Sequence, residues 1–479
     1  MKPVRLFLIT LLFAQSGSGQ GWVGPERVMR GTQPCISFDH SDRAWVVSDG
    51  DRYTGLFFTR WLGDRWAEPR GVLPTAPGVR GCFRPSICFN ESGHACLVWH
   101  NAYENNTRDI GSSFWLDTCW SQEIQVNQPD TELDFAPEVA SGGGEVWCVW
   151  YGGPNDCTPY SVYASRWNPA IGAWDPEMQV SPENDNWNWW CHLAVDSLGT
   201  PHVVWCTYPL YTVFYSYYAK DSWSTPVPVN DPLRLRASPW ADPHIVIDKT
   251  GMMHLSFTGA YRGASYRDIF YTRNDGTGWD TCQLVTRDSV YHESFSDIAA
   301  DRPDNVWVVW DRVSEGPDES QIYASHYDDK EWSAEQRLDN DSAVRDMCPA
   351  VCLNQAGYPW VVWNGYIPTS GEQWTFCNRY SPVSVSEPLT GTGRGELALS
   401  VPSPVKDLLR LRYLVPAPML ANITVFDAAG RRVLKTAIHS ERAGWETIEL
   451  NQPLAPGVYL CQLTGAGYVV TQKFVVTGH

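Results

Sequence analysis

Short apolar segments recur at an even spacing along most of the chain. Each unit has one apolar segment, a tight turn and a second segment that mostly closes on an aromatic residue. A period of about 50 residues without long helical patterns is typical of a four-stranded propeller blade. The hydrophobic pattern therefore predicts an all-β chain built around a seven-bladed β-propeller. The second segments end, at intervals of 51, 51, 55, 52, 53 and 53 positions, in Ser48, Trp99, Trp150, Trp205, Phe257, Trp310 and Trp363.

The two ends of this repeat region complement each other. After Tyr380 no Trp-bearing outer strand follows, so the seventh unit lacks one strand. The segment 21–28 has the pattern of the outer strand at 221–228, with Trp22 in the place of Trp223. We therefore expect the segment around Trp22 to pair near Tyr380, because this would close the ring without leaving a free sheet edge.

Several units share a Ser or Thr seven positions before a Trp, as in Thr59–Trp66 and Ser325–Trp332. The best copy, Thr-Arg-Asn-Asp-Gly-Thr-Gly-Trp at 272–279, resembles the Asp-box (BNR repeat) of sialidase-like propellers, Ser-x-Asp-x-Gly-x-Thr-Trp. In that superfamily the Asp-box is a structural turn remote from the active site. The resemblance therefore implies a propeller fold and says little about activity.

The chain changes character near residue 381, where the aromatic periodicity stops. Short alternating segments then predict a small antiparallel β-sandwich. The stretches Ser403-Pro404, 425–433 (VFDAAGRRV), 454–459 (LAPGVY) and 473–476 (KFVV) resemble the C-terminal sorting domain of the bacterial type IX secretion system. The resemblance implies that the export machinery is a partner of this tail. An accessory Ig-like spacer is the alternative.

The N-terminal residues predict a signal peptide. Lys2 and Arg5 precede an apolar run at 6–14, which is too short to span a bilayer, and small or polar residues follow at 15–20. The predicted organisation is a signal peptide at 1–20, a propeller at 21–381, a linker at 382–395 and an Ig-like module at 396–479. The protein should be secreted or held at the outer cell surface, without a transmembrane anchor.

Composition narrows the class of partner. The net charge of −18 argues against nucleic acid, whose phosphates would be repelled, and 25 Trp suit half-buried strands. No cofactor motif is evident, no metal site is predicted, and structural calcium stays open. The 14 cysteines show no Cys-x-x-Cys spacing. If Ala194 pairs with Val203, Cys191 lies opposite Cys206, which predicts a disulfide unless both are free buried thiols.

The long segments of every unit should emerge on one face of the ring, the face formed by the second-to-third loops and the connections between blades. Variable loops on a rigid scaffold are the usual place for binding. Flat rings beside polar groups suit sugars, although packing between blades is the alternative role for each Trp. The predicted ligand-binding residues on this long-loop face are Arg84, His100, Trp187, Trp189, Trp190, Trp240, Asp242 and Arg312.

Three functions remain open. The first is an extracellular propeller that binds a glycan or a protein. The second is a carbohydrate-active enzyme, either a hydrolase that uses two carboxylates or a lyase with a His or Tyr base and an Arg that neutralises a uronate. The third is a surface scaffold without a small ligand. The catalytic candidates are His292, Glu293, Asp297 and Asp311.

Overall fold

The computed structural model describes residues 21–50, 55–73, 78–128, 132–154, 159–184, 186–239, 241–287, 291–313, 320–339, 344–381, 398–401, 409–415, 418–427, 431–440, 444–450, 454–465 and 468–476. The regular secondary structure of these residues is entirely β-strand, and almost all pairing is antiparallel. The predicted all-β class is therefore confirmed. One compact unit runs over Gly24–Arg379, and the described residues outside it form a second unit. The predicted signal peptide and linker lie outside the described residues.

The strands of the first unit fall into successive groups by their hydrogen-bond pairing. The chain begins with β1 (Gly21–Trp22) and β2 (Glu26–Arg30). The first group contains β3 (Thr32–Phe38), β4 (Ala44–Asp49), β5 (Leu56–Arg60) and β6 (Arg70–Gly71). The second contains β7 (Val79–Phe89), β8 (Ala95–Tyr103), β9 (Arg108–Phe114) and β10 (Ile124–Gln125). The third contains β11 (Leu133–Gly142), β12 (Glu145–Gly153), β13 (Ser161–Asn168), β14 (Ala173–Trp174) and β15 (Met178–Gln179).

The remaining groups repeat the same order of inner, second, third and short outer strands. The fourth contains β16 (Trp187–Val195), β17 (Pro201–Tyr208), β18 (Thr212–Ala219), β19 (Ser222–Trp223) and β20 (Val227–Pro228). The fifth contains β21 (Leu235–Ala237), β22 (His244–Ile247), β23 (Met253–Tyr261), β24 (Asp268–Asn274) and β25 (Gln283–Leu284). The sixth contains β26 (His292–Arg302), β27 (Asn305–Val313), β28 (Ser320–Tyr327) and β29 (Gln336–Arg337). The seventh contains β30 (Arg345–Leu353), β31 (Pro359–Ile367) and β32 (Glu372–Ser381).

The seventh group obtains its outer strand from the start of the chain. β1 pairs with the end of β32 so that Trp22 faces Tyr380, and β2 pairs with the middle of the same strand, with Arg27 opposite Phe376. The predicted pairing of Trp22 near Tyr380 is thus confirmed. The number of blades in the closed ring stays a prediction. The described residues form seven groups when the second and third, which a single parallel bridge between Leu133 and Arg108 joins into one sheet, are counted separately.

The repeated aromatic residues of the second strands are packing residues. Trp150, Trp205, Phe257, Trp310 and Trp363 are at most 1% exposed. Each stacks on the aromatic ring that faces it from the third strand, with interplanar angles from 12° to 26°. Burial of large rings in matched pairs explains why the sequence repeats them so regularly.

The hydroxyl residues of the repeat close the outer turn of each blade. Ser113, Ser216, Thr272 and Ser325 each donate a hydrogen bond to the backbone carbonyl eight residues ahead, at 2.7 to 3.0 Å. Ser165 reaches ten residues ahead, to Asp175, at 2.6 Å, because the third group carries two extra residues in this turn. The same hydrogen bond therefore forms despite the change in spacing.

The predicted disulfide is not formed, and both Cys191 and Cys206 are free thiols. The register pairs Trp189 with Cys206 and Ala194 with His202, because a β-bulge shifts the pairing between these two positions. The Cys206 thiol donates instead to the carbonyl of Ser238 at 3.2 Å. The prediction was wrong because it paired Ala194 with Val203, whereas the register pairs Leu193 with Val203, and because the bulge leaves Cys191 without a partner in the ladder.

The second unit contains a small sandwich, as the sequence predicts. Its strands are β33 (Ala398–Ser400), β34 (Leu409–Val415), β35 (Met419–Asp427), β36 (Arg432–Ser440), β37 (Gly444–Leu450), β38 (Gly457–Gly465) and β39 (Tyr468–Val476). Three of them form the sheet β33-β34-β37, and four form the sheet β36-β35-β38-β39. Leu411 from the first sheet and Ile423 and Phe474 from the second lie in one buried cluster.

We expect Trp310→Ala to lower the free energy of unfolding of the propeller by about 3–5 kcal/mol, because it leaves a large cavity against Tyr323. Urea titration followed by intrinsic fluorescence measures this. The matched control is Tyr217→Ala, which truncates a ring that is 41% exposed and should change the free energy much less. Equal effects at the two positions would contradict the packing role.

Candidate functional site

The inner strands of the groups surround a cavity of about 440 Å³. Near its start, at the end that faces the second-to-third loops, each inner strand carries a non-glycine residue with φ between 41° and 52°. Positive φ is uncommon for such residues and usually marks a functional or structural requirement. We call these seven residues the mouth ring: Gln33, Arg84, Ala136, Trp190, Asp242, Phe295 and Cys348.

The mouth ring results from a repeated β-bulge. In most groups the register between inner and second strand shifts at this point, as between Phe83 and Ser86 or between Ser294 and Asp297. In five of the groups the ring residue precedes a proline, which disfavours the helical region for the residue before it. A bulge turns the side chains that follow it to a new direction. The residues two positions after the bulge therefore line the cavity below the ring.

Arg84 is the cation of the mouth ring. Its guanidinium lies 4.4 Å from the centre of the Trp190 ring, and Trp190 is only 8% exposed. No described residue forms a hydrogen bond or an ion pair with this guanidinium. The nearby Asp49 is fully buried, and burial raises its pKa to about 8, so near neutral pH it is largely uncharged. Arg84 thus retains donors for an external acceptor.

Below the mouth ring, five polar side chains form a continuous belt around the cavity. Ser86 donates a hydrogen bond to Glu138 Oε2 at 2.7 Å, and the same oxygen lies 3.9 Å from His192 Nε2. The His192 ring stacks on His244 with centroids 4.2 Å apart. His244 Nδ1 and Asp297 Oδ1 are 2.8 Å apart. We call Ser86, Glu138, His192, His244 and Asp297 the polar belt.

His244 is held in its charged form. It lies between Asp297 and Asp242, whose Oδ1 is 3.7 Å from His244 Nε2. Burial opposes the charge, but the two carboxylates outweigh it and raise the pKa of His244 well above its usual range. Burial likewise opposes ionisation of both aspartates, and the charge and hydrogen bonds of His244 lower their pKa values nonetheless. These three groups remain charged around neutral pH.

His192 and Glu138 behave differently because neither has a counter-charge within hydrogen-bond distance. Burial and the charge of His244 lower the pKa of His192 to about 3, so the ring is neutral. Its Nδ1 accepts the backbone N–H of Ile245 at 3.3 Å, which leaves the proton on Nε2, towards Glu138. Burial raises the pKa of Glu138 to about 7, against the hydrogen bond from Ser86. Glu138 can therefore exchange a proton near neutral pH.

Three of the residues proposed from the sequence line the cavity, Arg84 and Asp242 in the mouth ring and Asp297 in the polar belt. Trp190 belongs to the mouth ring and packs against the Arg84 guanidinium. Sequence reasoning missed Glu138 and His192 as site residues. The signal that could have found them is their common position, two residues after the bulge and on the same strand face as Asp297.

Glu293 and Arg312 lie away from the cavity. Glu293 is completely buried and accepts a hydrogen bond from Arg312 Nε at 2.7 Å. Arg312 also donates to Glu335 at 2.6 Å, and it packs on the Tyr323 ring. Burial raises the pKa of Glu293 to about 8 despite the adjacent Arg312, and both side chains bond within the sixth group.

The other predicted site residues accept hydrogen bonds from neighbouring backbone N–H groups or pack against other aromatic rings. His100 is 7% exposed, and its Nδ1 accepts the N–H of Ala136 in the mouth ring at 3.4 Å. Asp311 accepts the N–H of Cys348 at 3.4 Å, and His292 Nδ1 accepts that of Arg267. Trp187 and Trp189 pack on Tyr160, with centroids 5.0 and 6.4 Å away. Trp240 lies outside the described residues.

The C-terminal residues identify the route of the protein. Residues 401–477 match the family model described as the secretion system C-terminal sorting domain. The tail is thus a sorting domain of type IX secretion, and the predicted export to the medium or the outer surface is confirmed. In the described parts of the chain, no helix is long and apolar enough to cross a membrane. The same residues contain no cluster of three or more His, Cys, Asp or Glu side chains that could hold a metal ion.

Solved structures similar to this chain include a polysaccharide lyase, an arabinanase and a sialidase. An ulvan lyase of family PL25, bound to -[GlcA(1-4)Rha3S]-, has a TM-score of 0.52 at 10% identity, over 74% of this chain and 95% of that chain. The α-L-arabinanase of Penicillium chrysogenum, complexed with arabinobiose, has a TM-score of 0.46 at 10% identity, over 74% and 98%. The NanB sialidase from Streptococcus pneumoniae has a TM-score of 0.40 at 12% identity, over 75% and 70%.

At such identities the likeness shows the fold alone, and the predicted propeller fold is confirmed. A search of the curated proteins gives no match. The chain is therefore an exported propeller with a type IX sorting tail.

We expect Glu138→Gln to flatten the pH dependence of stability between about pH 5 and pH 7. The folded pKa of Glu138 is raised from 4.5 to about 7, so the unfolded chain loses this proton first as the pH rises. The contribution of Glu138 to the free energy of unfolding is complete below its pKa in the unfolded chain. It is lost as the pH rises through its pKa in the folded protein. Melting temperatures measured across this range should fall less steeply in the variant than in the wild type.

Asp311 adds a slope of the same sign, because burial also raises its pKa to about 7. The difference between the pH slopes of the wild type and the variant measures the contribution of Glu138. Glu91→Gln, in an exposed turn, is the matched control and should reproduce the wild-type slope. Parallel curves for the wild type and Glu138→Gln would contradict a raised pKa at Glu138.

Proposed function

We propose that this protein is an extracellular glycan-binding propeller whose ligand carries a carboxylate or sulfate group. The observation that carries the proposal is the half-buried guanidinium of Arg84, stacked on Trp190 at the cavity mouth without a described acceptor. A planar guanidinium binds carboxylates and sulfates through two parallel hydrogen bonds. The sugar ring of such a ligand would lie over the long-loop face, where the earlier prediction places binding.

The charge of the protein limits how such a ligand is recognised. With a net charge of −18, the protein repels polyanions at long range. Binding must therefore depend on a local cation that is already positioned, and stacking on Trp190 provides that position. This favours recognition of one acidic group in a shaped site over general attraction to any polyanion, nucleic acid included.

Glycan is the ligand class to test first because the propellers of similar fold act on glycans. Those relatives include the ulvan lyase bound to -[GlcA(1-4)Rha3S]-. The cavity volume of about 440 Å³ also falls within the range of small-molecule sites.

Arg84→Ala should weaken binding to an acidic polysaccharide by about 10- to 100-fold, since charge-assisted hydrogen bonds contribute about 1.5–3 kcal/mol. Calorimetry with polygalacturonate and dextran sulfate distinguishes a carboxylate from a sulfate ligand. Arabinan serves as the neutral probe and should not bind. Arg84→Lys should restore part of the affinity, because it keeps the charge but loses the fork of donors.

Arg80→Ala is the matched control. Arg80 lies on the same strand, β7, is exposed and hydrogen-bonds Asn106, so its loss should leave the affinity unchanged. Equal loss from both variants would mean that binding is general surface attraction. Equal affinity for arabinan and polygalacturonate would refute an acidic ligand.

A carbohydrate-active enzyme is the second candidate, and the polar belt favours it. General acid–base catalysis requires a carboxyl group that titrates near neutral pH and that can reach the substrate. Glu138 meets this requirement, lies on the cavity wall and accepts a hydrogen bond from Ser86. Asp297 is less suited to proton transfer, because its carboxylate is already hydrogen-bonded to His244.

Glu138→Gln should abolish cleavage of any acidic glycan that the wild type degrades and should leave its affinity within about twofold, because the amide keeps the shape but cannot exchange the proton. Reducing-end release and ultraviolet absorbance of unsaturated products separate hydrolysis from elimination. Glu293→Gln, inside the Arg312 network, should lower stability more than the turnover of folded protein. Turnover that survives Glu138→Gln would exclude Glu138 as the proton-transfer group.

A further inference from the structure

Two cysteines face each other across neighbouring strands at the base of the second blade. The register of β7 and β8 makes Cys88 and Cys96 direct partners. They are the one such pair among the described cysteines, since Cys148 faces Val139 and Ser165, and Cys191 lies in a bulge. Cys88 is 9% exposed, Cys96 is fully buried, and both belong to one core cluster.

This arrangement satisfies the geometry of a disulfide. Directly opposed residues of an antiparallel pair have Cα atoms about 4.5–5.5 Å apart. Disulfides span Cα separations of about 4.4–6.8 Å, so this pairing brings the two residues within range of a bond. In the structure both are free thiols, as Cys191 and Cys206 are, but of these four only Cys88 and Cys96 are directly paired.

A disulfide also requires an oxidising compartment. The sorting domain at 401–477 means that the chain leaves the cytoplasm, and exported proteins meet oxidants that keep disulfides formed. We propose that Cys88 and Cys96 are joined by a disulfide in the exported protein. The S–S bond forms as both S–H bonds break, and two protons and two electrons leave. A dithiol oxidase accepts the electrons as its own disulfide is reduced to two thiols, by exchange through a mixed disulfide.

The bond must form before the blade is packed. Burial and the neighbouring Cys88 thiol raise the pKa of Cys96 well above its usual range, so the folded protein contains almost no Cys96 thiolate. The thiolate is the reactive form in exchange. Oxidation therefore belongs to the period of export and folding, and a chain folded in a reducing cytosol stays reduced until it unfolds.

The position of the bond connects it to the binding site. Strand β7 carries Cys88 and, on the same strand, Ser86 of the polar belt and Arg84 of the mouth ring. A disulfide at Cys88 fixes β7 to β8 three residues after the bulge that directs Arg84. The strand that presents the guanidinium is thereby restrained before any ligand arrives.

The test is a disulfide map of the full chain recovered after export. The protein is unfolded in iodoacetamide without reductant and digested with a protease that cleaves after glutamate. Cleavage after Glu91 separates Cys88 from Cys96, so only a disulfide keeps the two fragments joined. We expect a joined pair that reductant separates and in which Cys82, on the same fragment as Cys88, is alkylated. Alkylated Cys88 and Cys96, or either one joined to Cys148, would overturn the proposal.

Melting temperatures provide a second measurement. Reductant should lower the melting temperature of the exported wild type by about 3 °C, the value expected for a bond that closes a short loop in a large domain. Cys96→Ala should abolish this shift, and Cys148→Ser, a buried cysteine of the same cluster, should retain it. An unchanged shift in Cys96→Ala would overturn the proposal. The map of the wild type decides the question even if a variant does not fold.

Discussion

The β-bulge of the inner strands determines what the centre of this propeller contains. In a continuous ladder, alternate residues face the same side, so a strand presents one fixed set of side chains to the channel. The bulge adds one residue, and the set that faces the channel changes at that point. Glu293 precedes the bulge in the sixth group and is sealed within its blade, whereas Asp297 follows it and lines the cavity.

The repeated features of the fold could be predicted because each has a local physical cause. A buried Trp opposite an aromatic residue and a hydroxyl that closes a turn depend on spacing within a single blade, which sequence shows directly. The pairing of Trp22 with Tyr380 followed from counting strands, since a missing outer strand at one end required one at the other. These inferences needed no knowledge of how blades meet.

The site could be predicted only in part because it depends on contacts between blades. Arg84 and Asp242 were found as charged residues near strand starts, but Glu138 and His192 gain their properties from neighbours some 50 residues away in sequence, such as Ser86 and His244. The disulfide at Cys191 was predicted from a turn register one residue out and from a ladder without its bulge. Five X-Pro pairs mark the mouth ring in the other groups, and the repeat alignment could have extended that signal to the fourth and sixth groups, which lack the proline.

The order of elements along the chain has a consequence for quality control. Strand β32 is the partner of β2, and the sorting tail comes after β32. A chain that terminates before β32 therefore lacks the sorting domain. It also lacks the strand with which β1 and β2 pair. Only products long enough to complete the circle therefore carry the sorting domain that the export apparatus recognises.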